Sequence, residues 1–196
     1  MNDERGQARS STLEDLIDKQ DIQEVILRYV HGVDRLDWEL VRDCYWPDAV
    51  DDHGAFRGDP EGFIEWGRCL KASTVSTTHQ VSPSLIVLDG DHAQVETYCL
   101  AFHRQEIDRG ARDAVMGVRY ADRFERRGGQ WRILERTAIW DWLRVDDVAV
   151  PADEEWSFGP DHVRGSRGVH DMIHALAIKL HAHAPSAVLA SETGDV

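Results

Sequence analysis

The stretch DIQEVILRYVHGVD, residues 21–34, constrains this chain more than any other. Ile22, Val25, Ile26, Tyr29, Val30 and Val33 recur at the spacing of one face of an α-helix. Asp34 lies four residues after Val30 and eight after Ile26, near that same apolar face. A carboxylate in an apolar interior is costly unless a partner meets it. Two readings stand: Asp34 caps or turns the chain between two helices, or it pairs with a buried group.

The elements around it can be read in order. Thr12 followed by Asp15 resembles a capping box. Leu13, Leu16 and Ile17 begin the apolar face, with a possible break near residues 18–21. Gly32 weakens the helix slightly, as glycine does when another element approaches closely. Asp37 caps a second helix, DWELVRDCY, which Pro47 closes. AVDDHGAFRG reads as a short strand and a turn. Asp59 and Pro60 start a third helix through Leu70.

From Thr74 the period changes to two. One strand, an Asp89–Gly90 turn and a longer strand form a hairpin, and two more strands flank Gly128–Gly129. Helices first and an antiparallel sheet later indicate an α+β class, with the N-terminal helices packed on one face of a curved antiparallel sheet. The mouth of such a sheet is a natural cavity for a small apolar ligand. Residues 1–11 read as a flexible arm, 12–148 as the domain, and 149–196 as a C-terminal extension. That extension holds an amphipathic segment, DMIHALAIKLHAH, and is either oligomerising or partly disordered.

Composition narrows the partners. A net charge of −14 argues against nucleic acid and against an anionic membrane surface. Cys44, Cys69 and Cys99 lack CxxC spacing, which fits reduced thiols in a cytoplasmic protein. No apolar run is long enough for a membrane span, and the first residues lack the apolar core of a signal peptide.

Three stretches carry a family likeness: ILRYVHGVDRLDWELVRDCYWPDAVDDHGAFRG, TTHQVSPSLIVLDGDHAQVETYCLAFHR and GVRYADRFERRGGQWRILERTAIWDW. Over residues 12–145 the chain resembles the SnoaL-like branch of the NTF2-like superfamily, whose members are cone-shaped α+β barrels. The tail WSFGPDHVRGSRGVHD resembles the Gly/Arg-rich tail of some members. That superfamily holds scytalone dehydratase, bile-acid 7α-dehydratase, the lindane dehydrochlorinase, polyketide cyclases, dioxygenase small subunits and non-enzymatic binding members, so the fold alone does not fix a reaction.

The resemblance implies a His–Asp dyad formed by His79, in TTH, and Asp34, in GVD, with Tyr29 as a cavity tyrosine. It implies a cofactor-independent lyase, a dehydratase or dehydrohalogenase, acting on a hydrophobic cyclic small molecule. The alternatives are an isomerase or polyketide-type cyclase with the same dyad, or a non-catalytic binding or accessory subunit. A homo-oligomer, trimer or dimer, is implied in the same way. His103, Trp140, Asp141 and Trp142 lie at late-strand positions suited to substrate contact. The chemistry is coherent: a neutral imidazole takes a proton from carbon, and a carboxylate on its other nitrogen fixes the tautomer and stabilises the imidazolium.

Simpler readings accompany these. His79 reads equally as a hydrogen-bonded structural histidine, and Tyr29 as a core tyrosine. On a regular strand both tryptophans share one face, with Ile139, Asp141 and Leu143 on the other, and the tryptophans read first as core. Asp51, Asp52 and His53 with His79 and His103 would be the candidate metal ligands, but no ligand spacing supports them, so neither metal nor cofactor is expected. His170 and His174 read as solvated, and no GxSxG nucleophile motif occurs.

Overall fold

A computed structural model describes residues 12–71, 74–108, 110–148, 163 and 165–175. The arm at 1–11 and most of the C-terminal extension lie outside the described residues.

Helix α1 runs from Leu13 to Arg35 without interruption. Thr12 and Asp15 form the reciprocal capping box at its start. The break expected near residues 18–21 does not occur, because the buried Asp18 accepts from Trp131 Nε1 at 2.8 Å and from Arg126 Nη1 at 2.9 Å. Leu36, with φ 61°, ends the helix in the left-handed region. Asp37 then caps α2 (Trp38–Asp43) by accepting from the Leu40 N–H at 3.1 Å.

Tyr45 already belongs to β1 (Tyr45–Asp52), so α2 is shorter than the periodicity predicts. Pro47 sits inside β1, in the irregular stretch between Tyr45 and Val50 where the pairing register shifts. A two-residue β2 (Arg57–Gly58) follows, then α3 (Pro60–Lys71).

The remaining strands are β3 (Thr74–Val81), β4 (Leu85–Asp89), β5 (His92–Ile107), β6 (Gly110–Arg127) and β7 (Gln130–Val148). The single strand expected before Asp89 is two, because Pro83 has no N–H for a ladder bond. β3 and β4 pair with successive parts of β5. Gly90 turns the β4–β5 hairpin at φ 60°, and Gly128 and Gly129 turn the β6–β7 hairpin at φ 58° and 79°.

The sheet order is β2-β1-β7-β6-β5-β3. All its pairings are antiparallel except β1 with β7, which is parallel, so the sheet is mixed. It stays open, with β2 at one edge and β3 at the other, rather than closing as a barrel. Helix α1 lies on its inner face, burying Ile22, Val25, Ile26, Tyr29, Val30 and Val33 against Val95, Cys99, Ala101, Met116, Val118, Tyr120 and Ile133. A short helix α4 (Met172–Ala175) is the described part of the predicted C-terminal helix. Among the described residues no helix is long and apolar enough to cross a membrane.

Candidate active site

Asp34 is buried at the end of α1, on the face that Val30 and Val33 continue. It does not serve as a cap. One carboxylate oxygen accepts from His79 Nδ1 at 2.7 Å and the other from the His79 main-chain N–H at 2.9 Å. The Thr77 hydroxyl also bonds to it. Burial pushes this carboxyl up, but the bonds from His79 and Thr77 pull it further the other way, to about 2.

His79 stands opposite Ala101, on the inner face of the sheet. With Nδ1 committed to Asp34, its Nε2 is turned toward His103 Nε2, 3.4 Å away, the two rings meeting edge to face. Asp34, His79 and His103 thus form a line from helix to sheet.

Tyr29 sits elsewhere in the same core. Its hydroxyl meets His53 Nε2 at 3.4 Å, and its ring packs edge-on to Tyr45 and Tyr120. His53 Nδ1 is hydrogen-bonded to Asp51, whose other oxygen accepts from the Tyr45 hydroxyl at 2.6 Å. A second His–Asp pair therefore lies in the fold. Beside it Arg136 is fully buried and bound bidentately to Asp122 at 2.8 and 2.7 Å. Its guanidinium lies between the rings of Tyr29 and Tyr120, at 4.1 and 4.3 Å from their centroids. Burial pushes the Tyr29 phenol well up, partly offset by Arg136, so it stays a proton-carrying donor.

β1 carries Asp51 at one side of the sheet, with His53 directly after the strand, β3 carries His79 at the other, and α3 touches both strands. Phe63 of α3 stacks on the His53 ring at 4.8 Å. Tyr120, 6.3 Å from the His53 ring, shares a hydrogen bond with Cys99, one inward position along β5 from Ala101.

The late-strand residues divide. Val118 pairs with Trp140 and Gly117 with Trp142, so Asp141 is an extra residue in β7. That bulge puts the two tryptophans on opposite faces, not on one as regular alternation predicts. Trp140 takes the inner face, with its indole near Gly54. Trp142 lies across Gly117 on the outer face, where a Cβ would fall 2.2 Å from its Nε1. Asp141 is bound by Arg119 through two bonds of 2.9 Å on that outer side. Trp140 and His103 thus join His79 on the inner face, while Asp141 and Trp142 do not.

The described C-terminal segment docks beside α1 and β3. Arg35 donates to the Ser166 carbonyl at 3.0 Å, and Arg167 donates to the Thr74 carbonyl at 2.7 Å. His170 is exposed, and the side chain of His174 lies outside the described residues. Among the described residues no group of three or more His, Cys, Asp or Glu side chains is placed to hold a metal ion.

A family model for the SnoaL-like domain matches residues 14–137. The chain belongs to the SnoaL-like family. No curated protein matches it. Among solved structures, this SnoaL-like chain is similar to a type 2 hexachlorocyclohexane dehydrochlorinase (LinA), at 18% identity and TM-score 0.66, over 78% of this chain and 100% of that one. It is also similar to LinA-type3 from Novosphingobium barchaimii LL02, at 16% identity and TM-score 0.65, over 72% and 97% of the two chains. A scytalone dehydratase-like protein of Novosphingobium aromaticivorans DSM 12444 is similar at 18% identity and TM-score 0.60, over 80% and 95%. At these identities the likeness establishes the NTF2-like α+β fold.

Sequence reasoning treated His53 only as a poor metal ligand and passed over Tyr45, Asp122 and Arg136. One signal was present: Asp51 and His53 are two residues apart in a strand, hence on one face. The groups that complete their cluster come from α1, β6 and β7.

Proposed function

We propose that this SnoaL-like protein is a cofactor-independent lyase that removes a proton and a leaving group from a hydrophobic cyclic small molecule. His79 is the base, Asp34 its orienting partner and Tyr29 an auxiliary proton donor. The observation that carries this reading is the grip of Asp34 on Nδ1 and on the main-chain N–H of His79. It favours the Nδ1–H tautomer and leaves Nε2, which faces His103 on the inner face, as the basic nitrogen. When Nε2 takes a proton from carbon, the adjacent carboxylate stabilises the imidazolium.

His103, which meets that nitrogen, and Trp140, farther along the inner face, contact the substrate in this reading. The names of the structural relatives agree with elimination: two are dehydrochlorinases and one is dehydratase-like.

The test compares wild type with His79→Ala and Asp34→Asn on a panel of hydroxylated and halogenated cyclic ketones. Appearance of the conjugated alkene is followed by absorbance, with no cofactor added. Wild type turns over, and His79→Ala loses on the order of 10²–10⁴-fold while staying folded. A His79→Ala protein as active as wild type overturns the assignment.

A further inference from the structure

We propose that Arg167, carried by the C-terminal segment, is the anion-recognising residue of the His79 site, and that the substrate bears a carboxylate which the Nε and Nη2 groups of Arg167 bind side-on. This rests on the lyase reading above and narrows its substrate class.

The segment is held by the same two elements that carry the dyad. Arg35, next to Asp34 at the end of α1, donates to the Ser166 carbonyl at 3.0 Å, and its Nη1 lies 3.7 Å from the Asp171 carboxylate. Arg167, the next residue along, donates through Nη1 to the Thr74 carbonyl at 2.7 Å, at the start of the strand β3 that carries His79. Asp171 closes the segment on itself, accepting from the Ser166 N–H at 2.8 Å and from the Ile173 N–H at 3.0 Å. Arg167 is therefore positioned by a tied turn.

The edge that Arg167 offers names the ligand. Nε and Nη2 share one edge of a guanidinium, at the spacing of the two oxygens of a carboxylate. Arg104, Arg112, Arg119 and Arg136 each give that edge to one carboxylate, of Asp113, Asp147, Asp141 and Asp122 respectively. In Arg167 both atoms are buried, and among the described residues none accepts from them. Asp34 does not fill the role, because its oxygens are taken by His79 and Thr77. Its charge still reaches Arg167: burial pushes the guanidinium down, Asp34 opposes that and Arg35 adds to it. A ketone or ester oxygen brings no charge to such a cation. A carboxylate brings the charge and both acceptors.

Unmet N–H groups of a cation withdrawn from water are costly. The docked segment is thus completed by a bound carboxylate. Substrate enters as the segment lifts from Thr74 and Arg35, and its carboxylate favours the docked form.

The test uses two cyclic ketones with the same leaving group, one bearing a free ring carboxylate and the other its methyl ester, with wild type, Arg167→Gln, Arg167→Lys and His79→Ala. Wild type favours the carboxylate in kcat/KM by on the order of 10-fold or more, and Arg167→Gln loses that preference through KM. Arg167→Lys keeps the charge without the two-pronged edge and retains part of it. An equal fall for both substrates in Arg167→Gln marks a tail anchor and overturns the proposal, as does a wild type indifferent to the ester. Binding is measured apart from turnover, with cyclohexanecarboxylate and cyclohexanecarboxamide titrated into the full-length protein. Wild type and His79→Ala bind the carboxylate on the order of 10-fold or more tighter than the amide, and Arg167→Gln binds the two alike. Equal affinities in wild type, or no binding of either probe, overturn the carboxylate site. Binding of the carboxylate through Arg167 with turnover of neither ketone supports the anion site and removes the lyase reading.

Discussion

Asp34 holds His79 at two points, its ring Nδ1 at 2.7 Å and its main-chain N–H at 2.9 Å. A carboxylate bound in this way has a lower pKa folded, about 2, than its ordinary 3.8. The unfolded chain therefore takes up the proton first as pH falls, and the stabilising contribution shrinks from about pH 4 downward until it is lost below the folded value. Asp34→Asn is expected to be less stable than wild type by on the order of 2 kcal/mol at pH 6, with the gap narrowing toward pH 2. Urea unfolding across that range measures it. A gap that is constant with pH contradicts the assigned pairing.

Arg136 tests the buried half of the site. Replacing it with Met keeps the apolar stem but leaves the Asp122 carboxylate buried without its two guanidinium bonds. Breaking one side of such a pair costs roughly 3–5 kcal/mol. Arg136→Met is expected to lose stability on that scale in chemical denaturation. The double variant Arg136→Met, Asp122→Leu regains much of the loss, because it removes the stranded charge as well.

Gly32 is where α2 folds back on α1. A Cβ added there would fall 2.8 Å from Val41 Cγ2 and 3.0 Å from the Asp37 carbonyl oxygen. Helix propensity alone favours Ala over Gly by about 1 kcal/mol. Overpacking against a backbone atom costs about 1–3 kcal/mol and outweighs it. Gly32→Ala is expected to lower the unfolding midpoint, and it should also loosen Asp34, two residues on. A raised midpoint would mean that α2 yields freely.

The elements that were legible in the sequence are those governed by local pattern. The burial face of α1 can be read residue by residue, and it carries Asp34 inward with it. The glycine turns of both long hairpins are equally plain. What local pattern cannot supply is pairing across the sheet. Nothing within Tyr45–Asp52 reveals that β1 runs parallel to β7, because its partner lies more than 80 residues away. The bulge at Asp141 reverses which tryptophan faces inward, and counting by twos assumes a strand without an inserted residue. Asp18 looks like a helix break because its partners, Arg126 and Trp131, are distant in sequence. The Asp51–His53 pair fails to stand out for the same reason: beyond Tyr45 of its own strand, its meaning depends on Tyr29 and Arg136 arriving from α1 and β7.

The three thiols give a last prediction, and it needs no substrate. Cys44 is completely buried and donates toward the Leu40 carbonyl at 3.2 Å, and burial pushes its pKa up to about 12. Cys99 lies on the inner face beside Tyr120, where burial raises its pKa to about 11, the hydrogen bond with Tyr120 opposing the rise. Cys69 is exposed on α3. Reaction with a disulfide reagent requires the thiolate and access to it, and both are withheld at the two buried positions. Ellman's reagent at pH 8 should therefore titrate one thiol per native chain rapidly and all three in urea. Cys69→Ser removes the fast phase. Rapid labelling of Cys99 in that variant would mean that the inner face of β5 opens to solvent in the native state, and that His79, across from its neighbour Ala101, is correspondingly exposed.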